Sequence, residues 1–343
     1  MVRIGIIGGG RIAQTRHLPE YSQNENVTIE GIYDLNFDRA KELAEHYRCK
    51  AYESYEELLA DPSIDAVSVC TANQFHAEIS VKALKAGKHV LCEKPMAVSY
   101  EECESMVEAA KENNRILMIG HNQRFTKTHI KAKELLQQGE IGDIITFRTT
   151  FGHGGPETWS VDSGANTWFF SREKASMGAM ADLGVHKTDL IQYLTRKKII
   201  KTYCSLKTLH KCKENGEKID VDDNAICIYT LEGNIVGTMI ASWTCYGEED
   251  NSTRIYGTKG IMKIYEDPSF SIQVLKPDGE QVFYKVDTIQ TNDNQNKSYV
   301  IDSFVDAICR EKQPESDGAS ALQTMKVIFA NLESARKNTE VPV

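Results

Sequence analysis

Three side chains in two distant parts of the sequence could transfer a proton and stabilise charge on a substrate. Asp182 and His186 are four residues apart, so on an α-helix the carboxylate would lie beside the imidazole. A carboxylate in that position orients the ring and stabilises its protonated form, which suits a histidine for proton transfer near neutral pH. Lys94 could orient an alcohol or a carbonyl group and stabilise developing negative charge.

Each of these features also has an ordinary structural explanation. Lysines in loops such as Glu93-Lys94-Pro95 are usually surface residues, although the proline makes this turn rigid. An Asp–His pair can simply lie on the surface of a helix. A zinc site is not supported, because no further ligands occur at a suitable spacing. The chemical interpretation therefore depends on the rest of the chain.

A glycine-rich turn near the N-terminus predicts a dinucleotide site. The segment Gly8-Gly9-Gly10-Arg11-Ile12-Ala13 fits the pattern G-x-G-x-x-A, follows the first predicted strand and opens a helix. Gly8 permits the tight turn, and Gly10 lets the backbone approach a pyrophosphate. The phosphates would lie at the helix N-terminus, beside Arg11 and Ile12, where free N–H groups and the helix dipole favour anions. The alternative is a glycine turn in an α/β fold that binds no nucleotide.

The residue at the end of the second predicted strand indicates which dinucleotide binds. Asp34 can accept hydrogen bonds from the adenosine ribose hydroxyls and would repel a 2′-phosphate. No lysine or arginine follows at positions 35 and 36, so we predict NAD rather than NADP. Arg39 lies one helical turn further on, and because of its positive charge NADP stays the less favoured alternative.

Two more segments should lie on the same rim as the glycine turn. Thr71-Ala72-Asn73 and Glu93-Lys94 each follow a predicted strand, and the carboxyl ends of the strands line the ligand crevice of an open α/β sheet. We predict that these residues contact the nicotinamide half of the cofactor, with ordinary turn residues as the alternative for 71–73. Hydride transfer to nicotinamide needs a base for the hydroxyl proton. The sequence therefore predicts an oxidoreductase with Lys94, Asp182 and His186 as catalytic residues.

The first 122 residues alternate short apolar strands with amphipathic helices, which predicts a doubly wound α/β domain. The predicted strands are 2–8, 27–33, 65–71, 88–92 and 115–120. Helices are expected at 37–47, at 75–86 with Gly87 as the C-cap, and from the capping box Ser99–Glu102 to about residue 113.

Residues 123–343 predict a second, α+β domain built on a large, mostly antiparallel sheet. Its predicted strands are 144–152, 201–209, 224–232, 235–243, 253–257, 260–265, 270–275 and 281–286. Helices are expected at 126–138, 182–194, 299–311 and 318–336. In the strand 225–231 both faces are apolar, so something must cover each of them. We predict a second subunit on one face, giving a homodimer or homotetramer; a loop or the C-terminal helices are the alternative.

The bulk composition excludes several classes of protein. The chain has 343 residues, a hydrophobic content of 41% and a formal net charge of −9, which argue against disorder and against nucleic-acid or anionic-membrane partners. No apolar run approaches the roughly 18 residues of a membrane span, and the N-terminus does not resemble a secretion signal. The nine cysteines form no C-x-x-C pair. We therefore expect reduced thiols in a cytoplasmic protein.

Together these segments resemble the glucose–fructose oxidoreductase, inositol dehydrogenase and rhizopine-catabolism family, written Gfo/Idh/MocA, over nearly the whole chain. The resemblance rests on Gly8–Ala13, Asp34, Thr71–Glu78, Glu93-Lys94-Pro95, Gly120–Phe125, Asp182-Leu-Gly-Val-His186 and Gly257–Gly260. It implies a secondary alcohol of a sugar, sugar derivative or cyclitol as the substrate. It also implies that the sheet of the second domain builds dimers or tetramers.

The resemblance assigns roles to individual residues. Lys94 would hydrogen-bond the reacting hydroxyl near the nicotinamide, His186 would be the acid or base, and Asp182 would orient it or bind substrate. The cofactor cleft would be lined by His76, Asn73 and Glu93, the residue directly before Lys94. Asn122 and Arg124 would lie near the domain junction, in contact with cofactor and substrate respectively.

Two departures from the family pattern bear on the substrate pocket. The glycine run that usually precedes the catalytic aspartate is reduced here to Gly178. The segment 151–159 has the glycines of a loop, and His153, Trp159 and Trp168 could bind a sugar by hydrogen bonding and ring stacking; a packed loop is the alternative. The remaining histidines, among them His17 and His129, are predicted to be surface or packing residues.

Two other functions use the same sequence features. NAD-dependent glycosidases of this superfamily oxidise a ring hydroxyl, eliminate the aglycone and reduce the sugar again with the same residues. Some members are non-catalytic NAD-binding regulators, although the presence of Lys94, Asp182 and His186 argues against this. The sequence does not identify the sugar or the position oxidised.

Overall fold

The structure is a computed structural model that describes residues 1–161, 164–288 and 297–343. Its strands form two separate sheets, one of six strands and one of nine. The six-stranded sheet lies within the first 119 residues, and the nine-stranded sheet begins at residue 144. The chain therefore has the two sheets that the sequence predicts.

The first sheet is parallel throughout and has the strand order β3-β2-β1-β4-β5-β6. Its strands are β1 (Val2–Ile7), β2 (Val27–Tyr33), β3 (Lys50–Ala51), β4 (Ala66–Val69), β5 (His89–Cys92) and β6 (Leu117–Ile119). The order reverses between β1 and β4, and in such sheets ligands bind outside the carboxyl ends of the strands at that point. β3 was not predicted, because two residues are too short to form a hydrophobic pattern.

The helices of this domain cover both faces of the sheet, and three of them begin at the capping side chains Asn36, Ser54 and Ser99. They are α1 (Leu18–Ser22), α2 (Phe37–Tyr47), α3 (Tyr55–Ala60), α4 (His76–Lys85) and α5 (Tyr100–Glu112). The capping box of α5 is confirmed: the Ser99 hydroxyl accepts from the Glu102 amide, and the Glu102 carboxylate accepts from the Ser99 amide, both at 3.2 Å. Gly87 follows α4 with a φ of 78°, a conformation that favours glycine.

The second sheet has the order β14-β13-β12-β11-β7-β10-β9-β8-β15. Only β7 and β10 pair in parallel; the other neighbours within the described residues are antiparallel. The strands are β7 (Ile144–Gly152), β8 (Ile199–Lys207), β9 (Asn224–Leu231), β10 (Ile235–Ser242), β11 (Thr253–Gly257), β12 (Gly260–Asp267), β13 (Phe270–Leu275), β14 (Gln281–Tyr284) and β15 (Val341–Pro342). This is the predicted mostly antiparallel sheet.

One face of this sheet is packed against helices. The helices of the C-terminal part are α6 (Lys127–Gln137), α7 (Arg172–Ala175), α8 (Val185–Thr195), α9 (Val300–Cys309) and α10 (Gly318–Lys337). Helix α10 packs on β8, and α8 packs on β7 and α10. Ala225, Cys227, Tyr229 and Leu231 of β9 point into this core and are fully buried.

The other face of β9 is open in the single chain. Ile226 is 51% exposed and Ile228 is 46% exposed. This confirms the prediction for this strand: both of its faces are apolar, and helices cover one of them.

Helix α9 packs on the first domain rather than the second. Its residues Val300, Ile301, Phe304 and Val305 are buried in one cluster with Ile4, Leu18 and other residues of the N-terminal domain. Just before it, the Ser298 amide donates to the Glu20 carboxylate at 2.7 Å. The predicted second domain, 123–343, therefore contains a helix that returns to the first domain, because α9 completes the apolar layer over β1.

No helix within the described ranges is both long enough and apolar enough to cross a lipid bilayer.

Candidate active site

A cavity of about 660 Å³ lies between the two domains, and residues of both line it. Asp34 and Arg39 lie along it in the first domain, and Asp182 and His186 line it from the second. The predicted site residues along it are Gly8, Gly10, Arg11, Ile12, Asp34, Arg39, Thr71, Ala72, Asn73, His76, Glu93, Lys94, Asn122, His153, Trp159, Trp168, Asp182 and His186. The fold thus brings residues from opposite ends of the sequence to one crevice.

The glycine turn has the geometry that a pyrophosphate site needs. Gly8 has a φ of 99°, and a Cβ atom there would lie 2.6 Å from the Cys70 carbonyl oxygen. At Gly10 the nearest atom to a Cβ would be 3.9 Å away, so the space beside this backbone is open. A ligand can therefore approach the main chain closely at Gly10.

Asp34 lies at the end of β2 with its carboxylate held against the glycine turn. Its Oδ2 accepts from the Gly9 amide at 2.7 Å, and its Oδ1 accepts from the Asn36 amide at 2.8 Å. Arg39 Nη1 approaches the same Oδ1 at 3.4 Å. Arg39 is therefore already paired with the carboxylate that we predict to bind the ribose.

A buried ion pair joins the two domains at the other end of the cavity. Lys94 Nζ donates to Asp182 Oδ1 at 3.1 Å and to the Asp182 carbonyl oxygen at 2.9 Å. Burial raises the pKa of Asp182, but Lys94, His153 and Trp243 together lower it below its ordinary value. Asp182 is therefore ionised and fixes the position of the Lys94 ammonium group.

Two further residues hold the second oxygen of Asp182. Trp243 Nε1 donates to Oδ2 at 3.0 Å, and His153 Nε2 lies 3.5 Å from it. The other ring nitrogen of His153, Nδ1, accepts from the Gly155 amide at 3.0 Å. With Nδ1 accepting, the ring presents Nε2 to Asp182. His153 was predicted to contact substrate, but both its ring nitrogens have protein partners, and its ring orients Asp182.

His186 has a buried ring nitrogen free for chemistry. Its Nδ1 has no hydrogen-bond partner, and its ring lies 5.7 Å from the Phe151 ring, centroid to centroid. Burial lowers the pKa of His186 well below its ordinary value, and the positive charge of Lys94 lowers it further. The imidazole is therefore neutral at pH 7, the form that can accept a proton.

Asp182 and His186 do not form the hydrogen-bonded pair that the sequence predicts. Residues Met180–Gly184 form a π-helical turn before α8, so the α-helical spacing on which that prediction relied does not apply. The Asp182 carboxylate is instead occupied by Lys94, Trp243 and His153. The carboxylate and the imidazole line the same cavity, but the aspartate orients the lysine.

The close approach of Gly178 to Asp222 supports this local geometry. A Cβ atom at Gly178 would lie 1.9 Å from the Asp222 carbonyl oxygen. The Asp222 carboxylate also accepts from the amides of Gly178 and Met180, each at 2.8 Å. Gly178, the one glycine kept from the run that the resemblance leads us to expect, is thus the residue that lets this turn pack.

Glu93 connects the lysine turn to a buried network under the sheet. Its Oε1 lies 2.9 Å from His17 Nε2, and His17 Nδ1 lies 3.1 Å from the Ser68 hydroxyl. Burial raises the pKa of Glu93, but His17, Arg16 and Lys94 lower it to about 2. Glu93 was predicted to bind cofactor, and it does line the cavity. Its carboxylate, however, is bound to protein groups that hold the base of the Lys94 turn.

The predicted cleft residues Asn73 and His76 hold backbone segments around the cavity. Asn73 Nδ2 donates to the Ala175 carbonyl oxygen of the second domain at 2.9 Å. The two ring nitrogens of His76 lie 2.7 Å from the Pro95 oxygen and 3.0 Å from the Thr71 oxygen. His76 therefore joins the segment after β4 to the segment after β5. Asn73 joins the segment after β4 to the opposite wall.

Arg124 does not line the cavity, and its predicted contact with substrate is not supported. Its guanidinium binds the Asp189 carboxylate through Nε at 2.7 Å and Nη2 at 2.6 Å. It also donates to the Glu315 carbonyl oxygen at 2.8 Å. Arg124 is a buried link at the domain junction, as the resemblance also implied.

Aromatic rings form one side of the cavity. Trp168 and Phe169 stack with centroids 3.9 Å apart and an interplanar angle of 25°, and Trp159 meets Phe169 edge to face at 5.2 Å. The indole N–H of Trp159 is buried without a partner. An apolar wall with one free donor can pack against the C–H face of a sugar ring.

Several cavity residues were not predicted. His129, assigned to packing or the surface, is buried and lines the cavity with its Nδ1 2.8 Å from the Gln123 carbonyl oxygen. Gln123 Nε2 donates to Asn251 Oδ1 at 3.1 Å. Glu249 lines the cavity from the segment after β10, and Trp243, directly after that strand, reaches Asp182. An aromatic residue just after a strand is the signal that could have suggested Trp243.

The cavity carries a set of buried polar atoms without hydrogen-bond partners. They are Thr71 Oγ1, Asn122 Oδ1, Gln123 Oε1, His129 Nε2, Trp159 Nε1 and His186 Nδ1. Buried polar groups are costly unless they find a partner. Both hydrogen-bond donors and acceptors therefore remain for a polar ligand. Across the described ranges no cluster of three or more His, Cys, Asp or Glu side chains could hold a metal ion.

Comparison with known families identifies both halves of the chain. Residues 2–121 match the model described as the oxidoreductase family with an NAD-binding Rossmann fold, and residues 129–263 match the GFO/IDH/MocA C-terminal domain.

Individual relatives cover most of the chain. It is 30% identical over 296 residues to an uncharacterised oxidoreductase of Streptococcus pneumoniae, covering 86% of this chain and 76% of that protein. It is 29% identical over 260 residues to myo-inositol 2-dehydrogenase of Thermotoga maritima, covering 76% and 74%. It is also 28% identical over 285 residues to levoglucosan dehydrogenase of Pseudarthrobacter phenanthrenivorans, covering 76% and 72%.

A solved structure of levoglucosan dehydrogenase in complex with NADH and levoglucosan superposes with a TM-score of 0.85. The two sequences are 26% identical, and the superposition covers 100% of this chain and 99% of the other. The likeness thus extends over both domains and the crevice between them.

Proposed function

The chain belongs to the Gfo/Idh/MocA family of oxidoreductases with an NAD-binding Rossmann fold, and from this premise we propose that it oxidises a secondary hydroxyl of a sugar, sugar derivative or cyclitol with NAD. The observation that carries the proposal is the contact between Lys94 and Asp182 across the domain junction, on the same cavity as the unpartnered Nδ1 of His186. Oxidation of an alcohol needs a group that stabilises negative charge on the oxygen and a base for the hydroxyl proton, and an ammonium group and a neutral imidazole can fill these two roles.

The cofactor half of the cavity fits NAD on the residues present. Gly8 and Gly10 leave the space for a pyrophosphate, Asp34 lies where the adenosine ribose would bind, and Thr71 and Asn122 offer polar atoms without partners. When bound, NAD supplies the nicotinamide ring that takes a hydride from the alcohol carbon.

The protein's own residues would manage the proton and the position of the substrate. Lys94 donates a hydrogen bond to the reacting hydroxyl and stabilises negative charge on its oxygen, because Asp182 fixes the ammonium group at this point of the cavity. His186 accepts the hydroxyl proton in the oxidative direction and returns it in the reductive direction. Asp182 and His153 are positioning residues in this scheme.

The proposal is tested by incubating the purified protein with NAD and a panel of sugars, glycosides and inositols while following absorbance of the reduced nicotinamide. Stoichiometric NADH with at least one secondary alcohol is the expected result. Release of an aglycone without net NADH would instead identify a glycosidase that uses transient oxidation. NAD binding without turnover of any compound would favour a non-catalytic regulator.

We expect the Asp34→Ala variant to bind NAD more weakly, with a smaller effect on NADP. The carboxylate would lose its hydrogen bonds to the ribose hydroxyls of NAD, whereas its removal also relieves repulsion of the 2′-phosphate and leaves Arg39 free to approach that group. Dissociation constants from quenching of protein fluorescence measure both effects. Asp38→Ala, on the exposed side of α2, is the matched control; equal weakening of NAD and NADP by Asp34→Ala would contradict the ribose role.

We also propose that the open face of the second sheet is an interface between copies of the chain. Ile226, Ile228 and Val236 are each exposed by 43% or more, and Tyr203 lies directly opposite Ile228 on the neighbouring strand. A contiguous apolar patch of this kind is unusual on the surface of a monomer.

Sedimentation of the wild-type protein at micromolar concentration is expected to give a dimer or a tetramer. The double variant Ile226→Glu/Ile228→Glu should dissociate it to smaller species, because two carboxylates would be buried without partners at the interface. Ile130→Glu on α6 changes an exposed isoleucine outside the sheet and should leave the assembly intact. A wild-type monomer would remove this proposal.

The cytoplasm remains the proposed location. All nine cysteines lie in the described ranges and are free thiols. Cys204 and Cys227 even face each other on paired strands without a bond between them. Free thiols in this number are typical of a reducing compartment.

A further inference from the structure

Within the described residues, the second-domain wall of the cavity contributes no lysine or arginine. The lysine and arginine residues of the cavity all come from the first domain: Arg11, Arg16, Arg39 and Lys94. The wall contributed by the second domain, considered over the described residues, has two charged side chains, Asp182 and Glu249, and both are acids. Over these residues, the second-domain wall is therefore without a cation of its own.

Three of the four cations of the first domain are already matched by acids. Arg39 pairs with Asp34 at 3.4 Å, and Arg16 lies 3.8 Å from Glu93. Lys94 pairs with Asp182. Arg11 opens the helix after the glycine turn, at the end that we assign to the pyrophosphate. None of these places an uncompensated positive charge beside the aromatic wall.

The histidines of the second-domain wall do not replace the missing cation. Burial lowers the pKa of His129 to about 3 and lowers that of His186 well below its ordinary value. The imidazoles of His129 and His186 are therefore neutral at pH 7. The Nδ1 of His153 accepts from the Gly155 amide, and its Nε2 lies beside Asp182.

Two lysines of the second domain, Lys187 and Lys211, lie next to this wall. Each of them is bound to another group of the protein. Lys187 is fully buried and donates to the Asn251 carbonyl oxygen at 2.8 Å. Lys211 pairs with Glu157 and donates to the Gly154 carbonyl oxygen at 2.5 Å. The ten residues outside the described ranges, 162–163 and 289–296, include no lysine or arginine in the sequence.

From this distribution of charge, and resting on the function proposed above, we infer that the substrate is an uncharged, unphosphorylated sugar or cyclitol. The second-domain wall offers rings and neutral hydrogen-bonding groups instead of cations: Trp159, Trp168 and Phe169 on one side, and unpartnered polar atoms of Gln123 and His129. A phosphate would bring a charge of about −1.5 to −2 next to the Glu249 carboxylate and to a Lys94–Asp182 pair without net charge. Burying that charge without a partner is strongly unfavourable.

The test compares matched substrates on the full-length protein with saturating NAD. The best neutral substrate from the panel is compared with its monophosphates, each phosphorylated at a hydroxyl other than the one oxidised. We expect kcat/KM for every monophosphate to be at least about a hundredfold lower, because the uncompensated charge is desolvated on binding.

A pair of charge variants tests whether the wall itself makes this selection. Glu249→Lys places a cation on the second-domain wall and should raise the ratio of kcat/KM for the monophosphate to that for the neutral sugar by about tenfold or more. Glu112→Lys changes the net charge equally at an exposed position on α5 and should leave the ratio unchanged.

A monophosphate used within tenfold of the neutral sugar, or preferred to it, would overturn the inference. NADH would still form in that case, so the proposed function would stand. An unchanged ratio in Glu249→Lys would overturn the role of the wall in selecting the charge. Absence of NADH with every compound would remove the proposed function and this inference together.

Discussion

The His186→Asn variant is expected to lower kcat by about a hundred- to ten-thousandfold, the contribution of a positioned general base. The imidazole is neutral and its buried Nδ1 has no protein partner, so the ring can accept the hydroxyl proton as the hydride leaves. Asparagine keeps a similar volume and a polar end but cannot take up a proton at this pH. Steady-state kinetics with saturating NAD and the best neutral substrate measure the effect.

Binding of NAD separates this loss from misfolding. The dissociation constant for NAD should change little, because His186 belongs to the second-domain wall. His46→Asn, an exposed histidine on α2, is the matched control and should retain wild-type turnover. Turnover of His186→Asn within about threefold of the wild type would assign the proton transfer to another group.

The pH profile provides an independent signature of the same residue. Burial and the charge of Lys94 lower the pKa of His186 well below its ordinary value, so the base stays unprotonated as the pH falls from 8 through the normal histidine range near 6.5. We therefore expect kcat/KM for oxidation to show no acid limb near pH 6.5 and to fall only at distinctly lower pH. A limb centred near pH 6.5 that disappears in His186→Asn would contradict the lowered pKa.

The Lys94→Met variant is expected to reduce kcat by at least about a hundredfold while NAD still binds. Methionine keeps the length of the side chain but cannot donate a hydrogen bond to the hydroxyl or stabilise negative charge on its oxygen. The loss should not be rescued by Lys94→Arg, since a planar guanidinium cannot occupy the point at which Asp182 holds the ammonium group.

The same variant has a second measurable consequence. Without Lys94 the buried Asp182 carboxylate loses the charge that most lowers its pKa, so that pKa should rise toward or above its ordinary value. Lys85→Met, at an exposed position near the end of α4, is the control for loss of one lysine. Wild-type kcat in Lys94→Met would remove the lysine from the proposed mechanism.

The sequence was sufficient for the elements whose signals are local. The glycine turn, the strand that precedes it and the capping box at Ser99 are each defined by residues within one short segment, and the structure has all of them. The alternation of apolar strands and helices likewise specified the parallel sheet, because strands covered by helices on both faces must be apolar on both faces. The shared rim of Lys94 and the glycine turn followed from that topology.

The tertiary structure alone decided which charged groups meet. Asp182 was expected to orient His186, four residues away, but its partners are Lys94, 88 residues away, and Trp243, 61 residues away. Arg124 binds Asp189, and Glu93 binds His17, in pairs separated by 65 and 76 residues. The return of α9 to the first domain is a contact of the same kind. Hydrophobic periodicity specifies an element and its buried face, whereas the partner of a buried charge depends on how the finished elements pack against one another.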